Sequence, residues 1–529
     1  MENTFQIPYA STGSFGAIFL DYLNEEKKLK PFYTYSPNIS SFESIIADRK
    51  KQSINRAVLV QVLKEQYQNI DASELSLQNI AALENENTFT ITTGHQLSLF
   101  TGELYFIYKI ITCINLAEKA AAANPVNKIV PVFWMASEDH DFEEINHASI
   151  AGTKFEWKAE SGGAVGELAT SGIDQIIDSI DHYLGNQVGK EKIITLFKLA
   201  YTEQKSLAAA TRILVNELFK QYGLVIIDAN HPSLKKEFTE IIRSDIFEQN
   251  SFQKVTETNA LLEKQYPIQV NPREINFFYL SENTRSRIIP SETGFETADQ
   301  KNQFNKEALL EEIKIHPEKF SPNVIMRPLY QEFILPNLAY LGGPGEMAYW
   351  LQLKSTFAHY QIPFPMLAWR NSFALANQKQ LKTIEALLPS VESIFKPLQE
   401  LIAGYVTTHS QNILSLDSEQ QIIKEQIQVI QTKLQSIDQT LLASSAAAST
   451  KISNLLNGLA QKMLKAEKKN HTVAIQQIEK IKNAFSPNGI LQERQDNFSF
   501  WYMHHESFIQ LIKNNSEPLN KHFTVLAID

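Results

Sequence analysis

Two stretches decide the fold: Thr88-Phe89-Thr90-Ile91-Thr92, broken at Thr93-Gly94-His95-Gln96, and Ile129-Val130-Pro131-Val132-Phe133-Trp134-Met135, running into Ser137-Glu138-Asp139-His140-Asp141. The first is rich in β-branched and aromatic residues and reads as a strand. The second is apolar almost throughout, which is how a strand covered on both faces reads. Between them, residues 103–123 carry apolar side chains on a helical stripe, stopped by Asn124-Pro125. Strand, helix, strand is one βαβ unit.

The alternation recurs further along the chain. Residues 204–222 read as a helix, 224–228 as a strand and 231–248 as a second helix. Residues 337–341 read as a strand that ends at Gly342-Gly343-Pro344-Gly345-Glu346, with a helix to about 360 and a last strand over 365–369. The expected class is α/β, a Rossmann-like doubly wound parallel sheet. Two insertions interrupt it. One lies near 150–200 and holds Gly162-Gly163. The other lies near 250–320, where 275–280 and 285–290 pair as a hairpin.

Residues 376–485 change character. Ile423, Ile427, Ile430, Leu434, Ile437 and Leu441 step by four and three, which is a heptad seam. Ser444-Ser445-Ala446-Ala447-Ala448-Ser449 reads as an interruption, and a second seam follows through Ala474, Ile478, Ile481 and Phe485. Two such helices make a C-terminal antiparallel coiled-coil arm, which either packs only on itself or also builds a dimer. The expected division is a core over 1–375, an arm over 376–485 and a segment over 486–529 that returns to the core.

Composition bounds the function. Of 529 residues, 43% are hydrophobic, enough for a real core and too many for a disordered chain. The net charge of −10 argues against a nucleic-acid grip. A single cysteine, Cys113, excludes a disulfide within the chain and a Cys-rich zinc site. Its place on an apolar helical stretch reads as a buried structural thiol. No apolar run approaches the ~18 residues of a spanning helix, and no basic and apolar leader opens the chain. A cytoplasmic protein without a membrane partner is expected.

Four constellations could carry chemistry. Thr93-Gly94-His95-Gln96 lies between a strand and a helix, where backbone N–H groups approach anions; a plain glycine turn explains it equally well. Glu138-Asp139-His140-Asp141, with Glu143, Glu144 and His147, follows an apolar strand. Burying so many ionisable groups is costly without a role, so they read as an amine or Mg²⁺ site, or as a general base at His140; a solvated loop capping the next helix is the plain alternative. A transition-metal site of His95, His140 and His147 matches no standard spacing, and no metal ligands are assigned. Gly342-Gly343-Pro344-Gly345-Glu346 is a strand-to-helix turn suited to phosphate or ribose, yet it is neither a P-loop nor a GxGxxG. Arg327, Gln331, Tyr349 and Trp350 flank it. Arg273, Arg285 and Arg287 near the second insertion could read a carboxylate, or be surface ion pairs.

These residues resemble one family. Thr93-Gly94-His95-Gln96 with Leu99-Phe100-Thr101-Gly102 and Lys109 carries the resemblance, as do Pro131-Val132-Phe133-Trp134 with Glu138-Asp139-His140-Asp141-Phe142 and His147. So do Arg327-Pro328, Gln331-Glu332, the 342–346 turn with Tyr349-Trp350, and Pro487-Asn488-Gly489 with Leu491-Gln492-Glu493-Arg494. The blocks run in order from about 88 to 494 and resemble BshC, the cysteine ligase family of bacillithiol biosynthesis. The resemblance implies a core like the class I nucleotidyltransferases and a homodimer built through the coiled coil. It also implies joining L-cysteine to the amine of glucosaminyl-malate, with ATP activating the carboxylate and Mg²⁺ as a candidate companion. On that reading Gly94, His95, Gln96 and Lys109 face phosphate or carboxylate, with Thr93 and Arg327 beside them. Glu138, Asp139 and His140, next to Asp141, bind amines or relay a proton. Gly342, Gly343, Gly345 and Glu346 line the nucleotide or sugar pocket. Two alternatives stay open: a non-catalytic nucleotide-binding module with a coiled-coil platform, and a class I-like nucleotidyltransferase for another small acid.

Overall fold

A computed structural model describes residues 4–160, 162–505 and 507–528. Five parallel strands form its central sheet: β1 (Thr88–His95), β2 (Lys128–Met135), β3 (Val225–Asp228), β4 (Asn337–Gly342) and β5 (Met366–Trp369). Their order is β5-β4-β1-β2-β3, so the chain winds outward from β1 in both directions, as in a Rossmann fold. The reversal between β1 and β4 opens a crevice at their carboxyl ends. The register brings His95 beside Met135, and Met135 beside Asp228.

Both faces of β1 are covered, and every residue but His95 is buried. Three of its four threonines have hydroxyl partners that make their burial tolerable. Thr90 and Thr92 donate to Asn337 Oδ1 (3.1 and 2.9 Å), and Thr93 donates to the Leu341 carbonyl (2.8 Å). Helix α1 (Tyr105–Ala123) follows β1 and packs on β1 and β2. Cys113 lies fully buried within it, its Sγ 3.2 Å from the Ile91 carbonyl, and burial pushes the thiol up to about 12. It is the structural thiol its position foretold.

The helix expected over 231–248 is two helices, α2 (Pro232–Glu237) and Thr239–Glu248. The chain leaves helical geometry at Phe238 (φ −94°, ψ 2°), whose buried ring packs against Tyr330 and Phe333, at 5.0 and 5.3 Å between centroids. Helix α3 (Met326–Ile334) carries both Tyr330 and Phe333. After β4 comes the short helix α4 (Pro344–Trp350), then a separate turn of helix, Lys354–His359.

The first insertion contains a small hairpin, His147–Ile150 with Thr153–Glu156, and two helices, Ile173–Leu184 and Lys190–Tyr201. The second contains the expected hairpin, Phe277–Ser281 with Thr284–Ser291, inside a five-stranded antiparallel sheet that also holds Phe320–Pro322. The C-terminal strand His522–Ala527 lies between Thr4–Pro8 and Phe373–Ala376.

The arm differs from its sequence reading. Helix α5 (Asp417–Gln435) packs on α6 (Leu441–Glu467), and the turn joining them spans 436–440. Asp438 closes that turn by accepting the Thr440 N–H (2.8 Å). The 444–449 stretch lies inside α6 rather than breaking it, because alanine is the best helix former and serine costs little per residue. The second seam falls on α7 (Thr472–Phe485), where Ile478, Ile481 and Phe485 are buried against Gln378–Leu387 and Leu398–His409, away from the heptad pair. Among the described residues no helix is long and apolar enough to cross a membrane.

Candidate active site

The crevice between β1 and β4 is tied together by one lysine. Lys109 of α1 is 3% exposed, and its ammonium donates to the Gly94 carbonyl and to Glu346 Oε2 (2.6 Å). Glu346 Oε2 also accepts the Gly343 N–H (2.8 Å), and Oε1 accepts the Tyr340 hydroxyl. Burial alone would raise the Glu346 carboxyl. The Lys109 charge and these donors outweigh it and hold the group down at about 2. Burial pulls the Lys109 ammonium below its ordinary value, and Glu346 opposes that pull.

Glycine at 342 is steric. A Cβ there would stand 3.1 Å from the Glu346 Cβ and 3.2 Å from Tyr340 Cε1, crowding the carboxylate that receives Lys109. The glycine turn therefore makes room for a carboxylate, and the Gly343 amide is already occupied by it.

The end of β2 supplies the acids. Glu138 receives the ammonium of Lys235, a fully buried residue of α2 that also donates to the Phe320 carbonyl (2.9 Å). Asp139 accepts the His140 N–H (2.7 Å) and Gln96 Nε2 (2.8 Å), and Gln96 Nε2 also reaches Glu144 (2.6 Å). Burial would raise the Asp139 carboxyl, but the hydrogen bonds from Gln96 Nε2 and the His140 backbone N–H, with the nearby Arg285 charge, outweigh it and hold it well below the usual carboxylate range. His140 Nδ1 lies 2.8 Å from Arg285 Nη1. His95 packs on Phe106 and Tyr105, with Nδ1 2.9 Å from the Gln96 carbonyl. Burial, then the Lys109 charge, lower its imidazole to about 4, so the ring is neutral at physiological pH.

These groups open on one cleft of about 670 Å³, within the range of small-molecule sites. Of the residues singled out from sequence, Gly94, His95, Gln96, Lys109, Glu138, Asp139, His140, Arg327 and Glu346 line it. Thr93, Asp141, Gly342, Gly343 and Gly345 do not. Thr93 is buried in the sheet, Asp141 and Gly345 are exposed beside the cleft, and Gly342 accepts the Arg370 N–H (3.0 Å). His147 is not among the lining residues either. Arg273, Arg285 and Arg287 all line the cleft.

Sequence reasoning missed Lys235, which stands about a hundred residues from Glu138 with no local pattern to mark it. It also missed Arg370, whose guanidinium is buried and bidentate to Glu493 (2.8 and 2.7 Å) and lies 5.0 Å from the Tyr105 ring centroid. The charge of the lining is informative. Lys109, Arg273, Arg285, Arg287 and Arg327 face Glu138, Asp139 and Glu346, so an acidic chain presents a net cationic cleft. Among the described residues no group of three or more His, Cys, Asp or Glu side chains is arranged to hold a metal ion.

Comparison with known families places this geometry in context. Residues 3–371 match the model described as "Bacillithiol biosynthesis BshC, N-terminal Rossmann-like domain". Residues 373–528 match "Bacillithiol biosynthesis BshC, C-terminal coiled-coil domain". A Flavobacterium johnsoniae protein named "Putative cysteine ligase BshC" is 43% identical over 525 residues, 99% of each chain. Proteins of the same name from Flavobacterium psychrophilum and Cytophaga hutchinsonii are 42% and 38% identical, covering 98% and 95% of both chains.

Proposed function

This chain belongs to the BshC family of bacillithiol biosynthesis, and from that premise we propose that it is a ligase joining L-cysteine to the amine of glucosaminyl-malate. On this reading it performs the last step of the pathway. The observation that carries the reading is the net cationic cleft at the sheet's switch point, where ligands of open α/β sheets bind. A carboxylate does not acylate an amine unaided in water. ATP supplies the free energy that makes the cysteine carboxylate open to attack. The donor set fits such an anion: among the described residues the side chains of Arg273 and Arg287 have no hydrogen-bond or ion-pair partner, Lys109 stands beside Gly94, and Tyr349 and Trp134 line the same cleft. Mg²⁺ usually binds through one or two carboxylates plus nucleotide phosphates, and no step is assigned to it.

The chain's own residues divide the work. Asp139, held ionised by Gln96 and the His140 backbone N–H, and Glu138, paired with Lys235, face the ammonium groups of the two substrates. As the amine attacks, its proton must leave and charge builds on the carbonyl oxygen. His95, His140 and Lys109 line the space where those changes occur. Arg273 and Arg287 on the second insertion take the malyl carboxylates. The arm pairs two copies through the apolar residues α5 and α6 leave exposed, among them Ile422, Ile430, Leu455 and Leu459.

The test is incubation of the purified chain with L-cysteine, ATP and glucosaminyl-malate, read by mass spectrometry. The reading predicts a new thiol whose mass equals the two substrates less one water, and consumption of ATP. Bound but unconsumed nucleotide with no thiol product would refute it and favour a non-catalytic module.

A further inference from the structure

His95 and His140 flank the same cleft from the ends of β1 and β2, and the structure fixes their hydrogens oppositely. His95 Nδ1 is 2.9 Å from a carbonyl oxygen, which can only accept. Nδ1 therefore carries the hydrogen. The ring is neutral, so Nε2 carries a lone pair.

His140 is the reverse case. Its Nδ1 has two neighbours, Arg285 Nη1 at 2.8 Å and Asp139 Oδ1 at 3.6 Å. The carboxylate is beyond hydrogen-bond length and the guanidinium is within it. A guanidinium has no acceptor atom, so Nδ1 must accept. The ring hydrogen then sits on Nε2. Arg285 has little freedom to leave. Its Nε donates to Ser321 Oγ (3.0 Å), Nη2 donates to the Pro322 carbonyl (3.1 Å), and its Cζ lies 4.0 Å from the Phe278 ring centroid. The Phe278 ring also sits 5.5 Å from the His140 ring. Among the described residues neither histidine's Nε2 has a hydrogen-bond partner.

We infer that Arg285 is a positioning residue that locks His140 in the Nε2–H tautomer, so that the cleft presents one imidazole donor, His140 Nε2, and one imidazole acceptor, His95 Nε2. Acyl transfer to an amine needs both: an acceptor for the amine's hydrogen, and a donor toward the oxygen that gains charge. The assignment deepens the ligase reading and takes its catalytic meaning from it. The tautomers themselves are measurable without substrate.

The experiment is a long-range ¹H–¹⁵N correlation spectrum of the full chain labelled with ¹⁵N-histidine, with the His140 signals identified by their loss in His140→Asn. Wild type is expected to show a lone-pair Nδ1 and a protonated Nε2 at His140. In Arg285→Met the two tautomers mix, and kcat falls about tenfold or more with KM for cysteine unchanged. Arg285→Lys keeps a donor facing Nδ1 and recovers most of both. Arg285→Met has no further effect in the His140→Asn background. A protonated Nδ1 in wild type overturns the inference, as does an equal loss from Arg285→Met with and without His140. If Arg285→Met does not fold, the wild-type spectrum decides alone. Correct tautomers in a chain that makes no thiol product would leave the inference standing and remove the ligase reading.

Discussion

Glu346→Gln removes the half-buried carboxylate that pairs with buried Lys109 and leaves the ammonium. In the wild type the Glu346 carboxyl falls from an ordinary 4.5 to about 2, through Lys109, the Gly343 N–H and the Tyr340 hydroxyl acting against burial. For the carboxyl alone that difference is worth about 3 kcal/mol of stability, against which the Lys109 ammonium, pulled below its ordinary value by burial, counts. Because the folded value is depressed, this stability is complete above the unfolded value near 4.5. It is lost as pH falls through about 2. At pH 7.5 the variant should lose about 3–5 kcal/mol, because Lys109 is left buried with the Gly94 carbonyl alone. Lys109→Met combined with Glu346→Gln should recover most of that loss, since no uncompensated charge remains. The assay is the urea midpoint at pH 7.5, 5 and 3, with m checked for constancy. Glu346→Gln should fall far below wild type at pH 7.5, and the gap should narrow at pH 3. An unfolding free energy within 1 kcal/mol of wild type at pH 7.5, or a gap indifferent to pH, would refute the reasoning.

Three further outcomes follow from the same geometry. Arg273→Ala with Arg287→Ala should raise KM for the dicarboxylate substrate about tenfold or more and leave KM for cysteine nearly unchanged, read from initial rates. His95, lowered to about 4 by burial and the Lys109 charge, should stay neutral above pH 5, so its ¹⁵N signals should not titrate between pH 5 and 8. Cys113, buried with its thiol at about 12, should resist iodoacetamide at pH 8 in the folded chain and react once urea unfolds it, as followed by intact mass.

Much of the core was legible because its signals are local. The apolar run 129–135 marks a doubly covered strand, and the break at Gly94-His95 marks its neighbour's carboxyl end. The same local logic brought nine of the chosen site residues to one cleft, since open α/β sheets gather ligands at strand ends. The glycine turn misled in detail. Gly343 and Gly345 looked like a phosphate cradle, but Gly342 makes space for Glu346, which occupies the turn's amide. Contacts made across long sequence separations were invisible: Lys235 on Glu138, and Glu493 beneath Arg370. In the arm, periodicity located helical seams but not their partners. Alanine and serine sustain α6 through 444–449, and the second seam packs into a different core.

The central claim is that the cleft between β1 and β4 is where cysteine is joined to its acceptor amine. The most direct measurement is the rate of thiol product formation, by mass spectrometry, in wild type and in Asp139→Asn and Lys109→Met variants that keep the wild-type circular dichroism. The account predicts ATP-dependent product from wild type and a loss of about 100-fold or more in both folded variants. Product at the wild-type rate from both variants, or product formed without ATP, would contradict it.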